Sequence, residues 1–288
     1  MTISNLRHEY HQQICRSIIR IRKDPKNNRE YPNFADGNSK ASTAIALGVV
    51  QRLGYASNYQ IIAEQHAVGL FQTITKDFLQ EAFTLLSHLR PGNWEYRVNK
   101  TSISGYDQYE HISHLKEVVE NDSNLRSALG GDYVVAPDIV IGRIPVFDEE
   151  VNSIRNVINT SENISTLTPF RAVNQKVIHP ILHASISCKW TIRSDRSQNT
   201  RTEALNLIRN RKGHLPHIVA VTAEPLPTRI ASLALGTGDL DCVYHFALPE
   251  LQSTLEEINN EDQLDMLKML VEGRRLRDIS DLPFDLAA

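Results

Sequence analysis

The stretch Leu182-His183-Ala184-Ser185-Ile186-Ser187-Cys188-Lys189-Trp190 alternates apolar and polar residues. Successive side chains of a strand point to opposite faces, so Leu182, Ala184, Ile186, Cys188 and Trp190 share an apolar face. His183, Ser185, Ser187 and Lys189 share the other. The first face reads as core. The second carries a serine and a lysine two residues apart toward a sheet edge, where both can enter a cleft. A half-exposed strand with an ordinary surface lysine has the same pattern, so the flanking sequence must decide between the two.

Upstream, Tyr133-Val134-Val135-Ala136-Pro137-Asp138-Ile139-Val140-Ile141 places an acid in the middle of an apolar strand, directly after a proline that breaks the ladder. A carboxylate there is costly to bury unless it binds or pairs with a cation. Downstream, Glu203 falls in the first turn of a helix that the apolar spacing predicts over Arg201–Arg211. Asp138, Lys189 and Glu203 at one cleft would suit phosphodiester hydrolysis. Carboxylates hold Mg²⁺, the metal polarises phosphate and water, and the ammonium neutralises developing charge. Between them lies Arg193-Ser194-Asp195-Arg196. Arginine forks match the O6 and N7 acceptors of guanine, and aspartate accepts from the cytosine amino group, so this cluster suits a G·C-rich major groove. A surface Arg–Asp pair is the simpler alternative, although a patch for phosphate alone has no use for Asp195.

Working outward, helical spacing predicts a first amphipathic helix over Asn5–Ile21, a second capped by Ser39 and running to Leu53, and a long central one. The long helix carries Phe71, Ile74, Phe78, Ala82, Leu85 and Leu89 and stops at Pro91-Gly92. Lys23–Lys40 reads as a long polar loop with turn dipeptides, of the kind that is usually functional or disordered. Strands are predicted over Trp94–Asn99, Asp132–Ile144, Ile181–Ile192, His217–Thr222 and Cys242–Phe246. Further helices are predicted over Tyr109–Glu120, Thr228–Leu235, Pro249–Asn259 and Asp262–Glu272. No repeat, composition break or flexible linker interrupts this order, so residues 1–288 read as one α/β domain with a mixed sheet covered by helices.

Composition sets outer bounds. The 288 residues are 41% hydrophobic and 23% charged, an ordinary globular balance that excludes fibrous and low-complexity classes. Cys15, Cys188 and Cys242 are odd in number and form no CxxC pair, so neither a disulfide framework nor a structural zinc site is legible. No apolar leader opens the chain, and no window approaches the roughly 18 apolar residues of a membrane span, so a cytoplasmic chain is expected. Net charge is −3, against a generic coat for polyanions, but its distribution is uneven. Lys189–His214 holds seven basic residues and two acids, whereas Leu215–Ala288 holds five basic residues and 13 acids. A positive stripe inside an acidic chain suggests a focused anionic target.

Pro137-Asp138, Ser187-Cys188-Lys189, Arg193-Ser194-Asp195-Arg196, Arg201-Thr202-Glu203 and Arg209-Asn210-Arg211-Lys212-Gly213 together resemble the CCGG-recognising branch of type II restriction endonucleases. The resemblance implies a PD-(D/E)XK, restriction-endonuclease-like fold: a mixed β-sheet core flanked by helices. In it Ser187 occupies the usual acidic position before the lysine and Glu203 takes over that acid's work. It implies a catalytic set of Asp138, Lys189, Glu203, Ser187 and Gln72. Mg²⁺ would be held by Asp138, Glu203 and the Cys188 main-chain carbonyl. Arg193, Asp195 and Arg196 would read the inner bases, and Asp36 and Gln65 the outer pair. The implied site on double-stranded DNA is GCCGGC, cut after the first G to leave a 5′ overhang. A homotetramer and a protecting DNA methyltransferase in the host are implied as well.

The sequence departs from the family at Phe71-Gln72-Thr73-Ile74, where the family has an active-site glutamate in place of Gln72, and at Asn38, where it has serine. Glutamine keeps an acceptor oxygen and loses the charge. A DNA-specific protein with impaired cleavage is therefore the alternative. A hydrolase using Ser187 or Cys188 as nucleophile is a third, disfavoured because no nucleophile-elbow glycines flank Ser187. Gly236-Thr237-Gly238 lacks a third glycine at dinucleotide-binding spacing and reads as a turn.

Overall fold

A computed structural model describes residues 1–24, 28–56, 58–98, 102–124, 127, 135–173, 178–192, 194–236 and 238–288, with only the main chain described at 194–197. The chain groups into two compact units, neither of them a single stretch of sequence. One comprises Met1–Arg90, Ile186–Leu205 and Ile218–Ala288, the other Pro91–Ser185 and Asn206–His217. In chain order the elements are α1 (Ile3–Ser17), β1 (Ile21–Lys23), β2 (Glu30–Pro32), α2 (Lys40–Leu53), α3 (Glu64–Leu85), β3 (Trp94–Val98), α4 (Glu110–Asn121), β4 (Ile139–Arg143) and α5 (Asp148–Val151). There follow β5 (Ile181–Lys189), α6 (Ser194–Asn210), β6 (His217–Thr222), α7 (Pro227–Ala234), β7 (Cys242–His245), α8 (Leu248–Ile258), α9 (Glu261–Glu272), β8 (Leu276–Asp278) and α10 (Leu282–Ala287). β1 and β2 form an antiparallel pair, and the other strands follow the order β3-β4-β5-β6-β7-β8 in one sheet. β3 and β4 are antiparallel, while β6, β7 and β8 are parallel, so the sheet is mixed.

In the first unit, local chemistry sets the helix ends. Thr2 and Asn5 form a capping box at the start of α1, the Ser39 side chain accepts the Ser42 N–H at the start of α2, and Gly54 closes α2 at φ 74°, a left-handed conformation that costs glycine little. Leu6, Tyr10 and Ile14 line the buried face of α1; Phe71, Ile74, Phe78 and Ala82 line that of α3. The Tyr10 and Phe78 rings meet at 5.2 Å, and the Tyr10 and Thr75 hydroxyls share a hydrogen bond of 3.2 Å. The parallel strands run nearly unbroken in buried residues, Ile218–Thr222 and Cys242–His245, as strands covered on both faces do. Arg7 of α1 forks twice: Nε and Nη2 donate to Asp278 at 2.8 and 2.9 Å, and Nη1 and Nη2 donate to Glu250 at 2.9 and 2.7 Å. Burial alone would raise both carboxyls, but the guanidinium holds them below the usual carboxylate range.

The second unit is organised around the first half of β5. The Gln108 amide donates to the Leu182 carbonyl and accepts the Leu182 N–H, both at 2.8 Å, so one side chain fastens the edge of the strand. The Tyr109 hydroxyl donates to the Leu207 carbonyl at 2.9 Å. Trp94 pairs across the ladder with Arg143, whose guanidinium lies 5.6 Å from the Trp94 ring centre and 4.7 Å from that of Phe170. Gly142 is required by close packing: a Cβ there would lie 2.7 Å from the Tyr106 ring.

Several elements differ from the sequence reading. The β1–β2 pair spans the end of the predicted first helix and the start of the polar loop Lys23–Lys40: α1 stops at Ser17, and the three-residue strands are too short to show a period. β4 starts at Ile139, so Asp138 sits just before the strand and not within it, and residues 132–134 of the predicted strand lie outside the described residues. α6 starts at Ser194, seven positions before the predicted Arg201, which makes Glu203 the tenth of its 17 residues and removes it from the first turn. Cys15, Cys188 and Cys242 are free and buried. Among the described residues, no helix is long and apolar enough to cross a membrane.

One buried histidine gives the first unit a pH dependence. His245 is fully buried, its Nδ1 accepts the Ala247 N–H at 3.2 Å, and burial pushes its pKa from 6.5 down to about 4. An unfolded chain takes up this proton near 6.5 and the folded one only near 4, so stability present at pH 7 is lost as pH falls through that window, by about 3 kcal/mol. Urea unfolding at pH 7 and pH 4 should show the native chain losing about that much more stability than His245→Asn.

Candidate functional site

Strand β5 carries the centre of the site. Leu182, Ala184, Ile186, Cys188 and Trp190 are buried on one face, as the alternation required. The other face is not polar surface throughout. His183 and Ser185 are also buried, with the His183 ring 4.8 Å from Trp94 and 5.0 Å from His217, while Ser187 and Lys189 are half-buried. The strand is thus covered on both faces from Leu182 to Ile186 and opens again at its C-terminal end, where the serine and lysine stand.

That end is held in two ways. The Lys189 carbonyl accepts hydrogen bonds from the Thr222 hydroxyl at 2.8 Å and the Ala223 N–H at 3.2 Å. The next residue, Trp190, packs edge-on against Phe34 at 5.6 Å and Phe71 at 5.2 Å, with Phe246 at 6.3 Å. Phe71 is the neighbour of Gln72 on α3, so the same aromatic cluster positions that helix beside the end of the strand. Gln72 is half-buried; Gln65, in the first turn of α3, is exposed.

The remaining candidates divide between the units. Ser187, Cys188, Lys189, Glu203, Gln72, Gln65 and Asp36 belong to the first unit and Asp138 to the second. Asp138 is half-buried where the chain enters β4. Arg193 lies outside the described residues, as do the side chains of Asp195 and Arg196, whose main chain forms the start of α6. Among the described residues, no three His, Cys, Asp or Glu side chains cluster closely enough to hold a metal ion by themselves.

Asp36 is firmly held. Its main-chain N–H donates to the Ser42 hydroxyl at 2.9 Å, its Oδ1 accepts the Asn38 N–H at 3.0 Å, and its Oδ2 takes Arg229 Nη2 at 2.5 Å. Arg229 also faces Glu224, with Nη1 4.0 Å from Oε1. The sequence reading passed over Glu224. It is 1% exposed, and its Oε2 accepts the Ile192 N–H at 2.9 Å. Burial pushes this carboxyl up to about 7, against the opposing pull of the Ile192 and Leu226 N–H groups and Arg229. An acid inside the apolar run Ile218–Leu226 was the available signal, the same one that singled out Asp138.

Comparison with known proteins completes the assignment. Type II restriction enzyme NgoMIV of Neisseria gonorrhoeae is 49% identical over 265 residues, covering 91% of this chain and 91% of that one. Two solved structures, the Type IIF restriction endonuclease Bse634I with cognate DNA and the Bse634I restriction endonuclease, cover 86% and 87% of this chain and 99% of their own. Both are 14% identical, with TM-scores of 0.36 and 0.35, and the assignment does not rest on them. A mixed sheet flanked by helices, with this degree of identity to such an enzyme, defines a type II restriction endonuclease with the expected α/β, restriction-endonuclease-like fold. Residues 10–288 match the NgoMIV restriction enzyme family, and the chain belongs to it.

The aromatic anchor can be tested directly. Trp190→Ala removes the ring shared by Phe34, Phe71 and Phe246 and should cost about 3 to 5 kcal/mol of unfolding free energy in urea, with Trp190→Phe costing clearly less.

Proposed function

We propose that this chain cuts double-stranded DNA at GCCGGC after the first G, leaving a 5′ overhang, in a Mg²⁺-dependent reaction. The observation that carries this reading is the family match over residues 10–288, which takes in every residue given a role below. The reading loops and the catalytic residues act in it as one functional domain.

The donor chemistry fits Mg²⁺. Asp138 and Glu203 are hard oxygen donors, as is the Cys188 carbonyl, whereas the Cys188 thiol is buried on the apolar face. When bound, the ion supplies Lewis-acid polarisation of a phosphate oxygen and of water. The chain's own residues do the rest. Lys189, on the open end of β5, neutralises charge developing on the scissile phosphate, and Ser187 lines the same face. Arg193 and Arg196 donate to guanine and Asp195 accepts from cytosine in the inner pairs, while Asp36 and Gln65 serve the outer pair. The local excess of basic residues over Lys189–His214 draws the polyanion to this part of an otherwise acidic chain.

In this reading the family resemblance implies a homotetramer, a dimer of dimers, for which dihedral symmetry is the natural closed form because a palindromic site demands a two-fold dimer. A cytoplasmic enzyme of this kind requires a methyltransferase that protects the host's own sites. The second reading, specific binding with impaired cleavage, is favoured by one feature: Gln72 is a neutral amide at the family's glutamate position.

Purified chain with Mg²⁺ should cut a plasmid into discrete fragments ending at GCCGGC, and EDTA should stop it; fragments with other ends, or none in any salt or divalent metal, would overturn the proposal. Lys189→Ala should abolish cutting while leaving gel-shift affinity for GCCGGC in Ca²⁺ nearly unchanged. Gln72→Glu should raise the single-turnover cleavage rate. Cleavage that appears only in Gln72→Glu, with specific binding already present in the native chain, would select the second reading.

A further inference from the structure

Beyond β6 the chain runs Thr222-Ala223-Glu224-Pro225-Leu226, and the acid in it is removed from water. An isolated carboxylate would not stay buried, and Glu224 uses both oxygens to do so. Oε2 accepts the Ile192 N–H at 2.9 Å; Oε1 accepts the Leu226 N–H at 3.3 Å and faces Arg229 Nη1 at 4.0 Å. Each of the two outer contacts leads to a segment assigned to base reading. Ile192 is the residue immediately before Arg193-Ser194-Asp195-Arg196, and it is 2% exposed, so its main chain is clamped where the inner reader begins. Arg229 is the cation that holds the Asp36 carboxylate at 2.5 Å.

From this geometry we infer that Glu224 is a positioning residue for sequence discrimination, coupling the segment that reads the inner base pairs to the one that reads the outer pair. The inference rests on the base-reading roles proposed above. It assigns Glu224 no contact with DNA. A glutamine would not substitute for it, because one of its two ends is an amide donor that would meet either the Ile192 N–H or the Leu226 N–H, and Arg229 would lose half of its counter-charge. An aspartate keeps the charge and is shorter by one methylene, drawing back from the Ile192 N–H.

The test uses full-length native chain, Glu224→Gln and Glu224→Asp with Mg²⁺ and three duplexes: GCCGGC, ACCGGT with the outer pair changed, and GCATGC with inner pairs changed. The ratio of kcat/KM on GCCGGC to that on each other duplex is read beside thermal unfolding, and gel shifts in Ca²⁺ give affinity for a duplex of unrelated sequence. Glu224→Gln should lower both ratios by about tenfold or more, within the range that one bidentate base contact discriminates, with affinity for unrelated DNA unchanged. Glu224→Asp should lower them less. A folded Glu224→Gln that retains both ratios, loses only one, or weakens on all sequences alike would overturn the coupling and leave Glu224 as a buttress. Should Glu224→Gln not fold, Glu224→Asp decides by the same ratios; if neither folds, the residue serves the fold and the inference is wrong. A native chain that cuts nothing, or cuts all three duplexes equally, sinks the restriction reading itself, whereas a discriminating native chain with equally discriminating variants sinks only this inference.

Discussion

Trp190, packed among Phe34, Phe71 and Phe246, fixes the point at which β5 stops, and the placement of the candidate residues in the first unit follows from that point. Its ring is one residue from Lys189, whose carbonyl is held from β6, and one helical neighbour from Gln72. Aromatic rings of this size remove a large apolar area from water and are restricted in how they can repack, so they set position as well as stability. The lysine therefore stands on a rigid strand end and its stem does not have to search for a location. Its freedom is confined to the side chain that would meet a phosphate.

Around this anchor the first unit distributes buried charge in two distinct manners. Arg7 faces two carboxylates and satisfies both with paired hydrogen bonds, so its acids are held ionised. Glu224 faces main-chain N–H groups and only a distant part of a guanidinium, so burial dominates and its carboxyl rises to about 7. The first arrangement is a structural clasp. The second is poised, since its carboxylate is held in place by few and specific partners and any change in those partners is felt at Ile192 and Arg229.

The sequence made legible what depended on period and on the cost of burying charge. β6 has its predicted bounds, β5 has its predicted apolar face, and the Ser39 cap opens α2 where expected. The start of α6 was not legible, because Ser194–Glu203 contains no apolar residue to mark a face, the first apolar residues buried on this helix being Ala204 and Leu207. β8 and α10 were likewise missed as short segments whose strand or helix state is decided by packing on β7 and α3. Of the candidate site, the β5 residues were visible through alternation, whereas the side chains of Arg193, Asp195 and Arg196 lie outside the described residues. Glu224 was overlooked although the reasoning applied to Asp138 covered it. The Asp36–Arg229 pair joins residues 193 positions apart and leaves no local signal at all.

The first unit is assembled from both ends of the chain, and the Arg7–Asp278 bond spans 271 positions. Synthesis delivers α1 well before the carboxylates that neutralise Arg7 and the strand that carries one of them. Helix α1 can pack on α3 early, but Arg7 must wait for Glu250 and Asp278, and closing so long a loop is slow. The order of synthesis thus delays completion of the unit that carries Lys189 and Glu203 until β8 has been made.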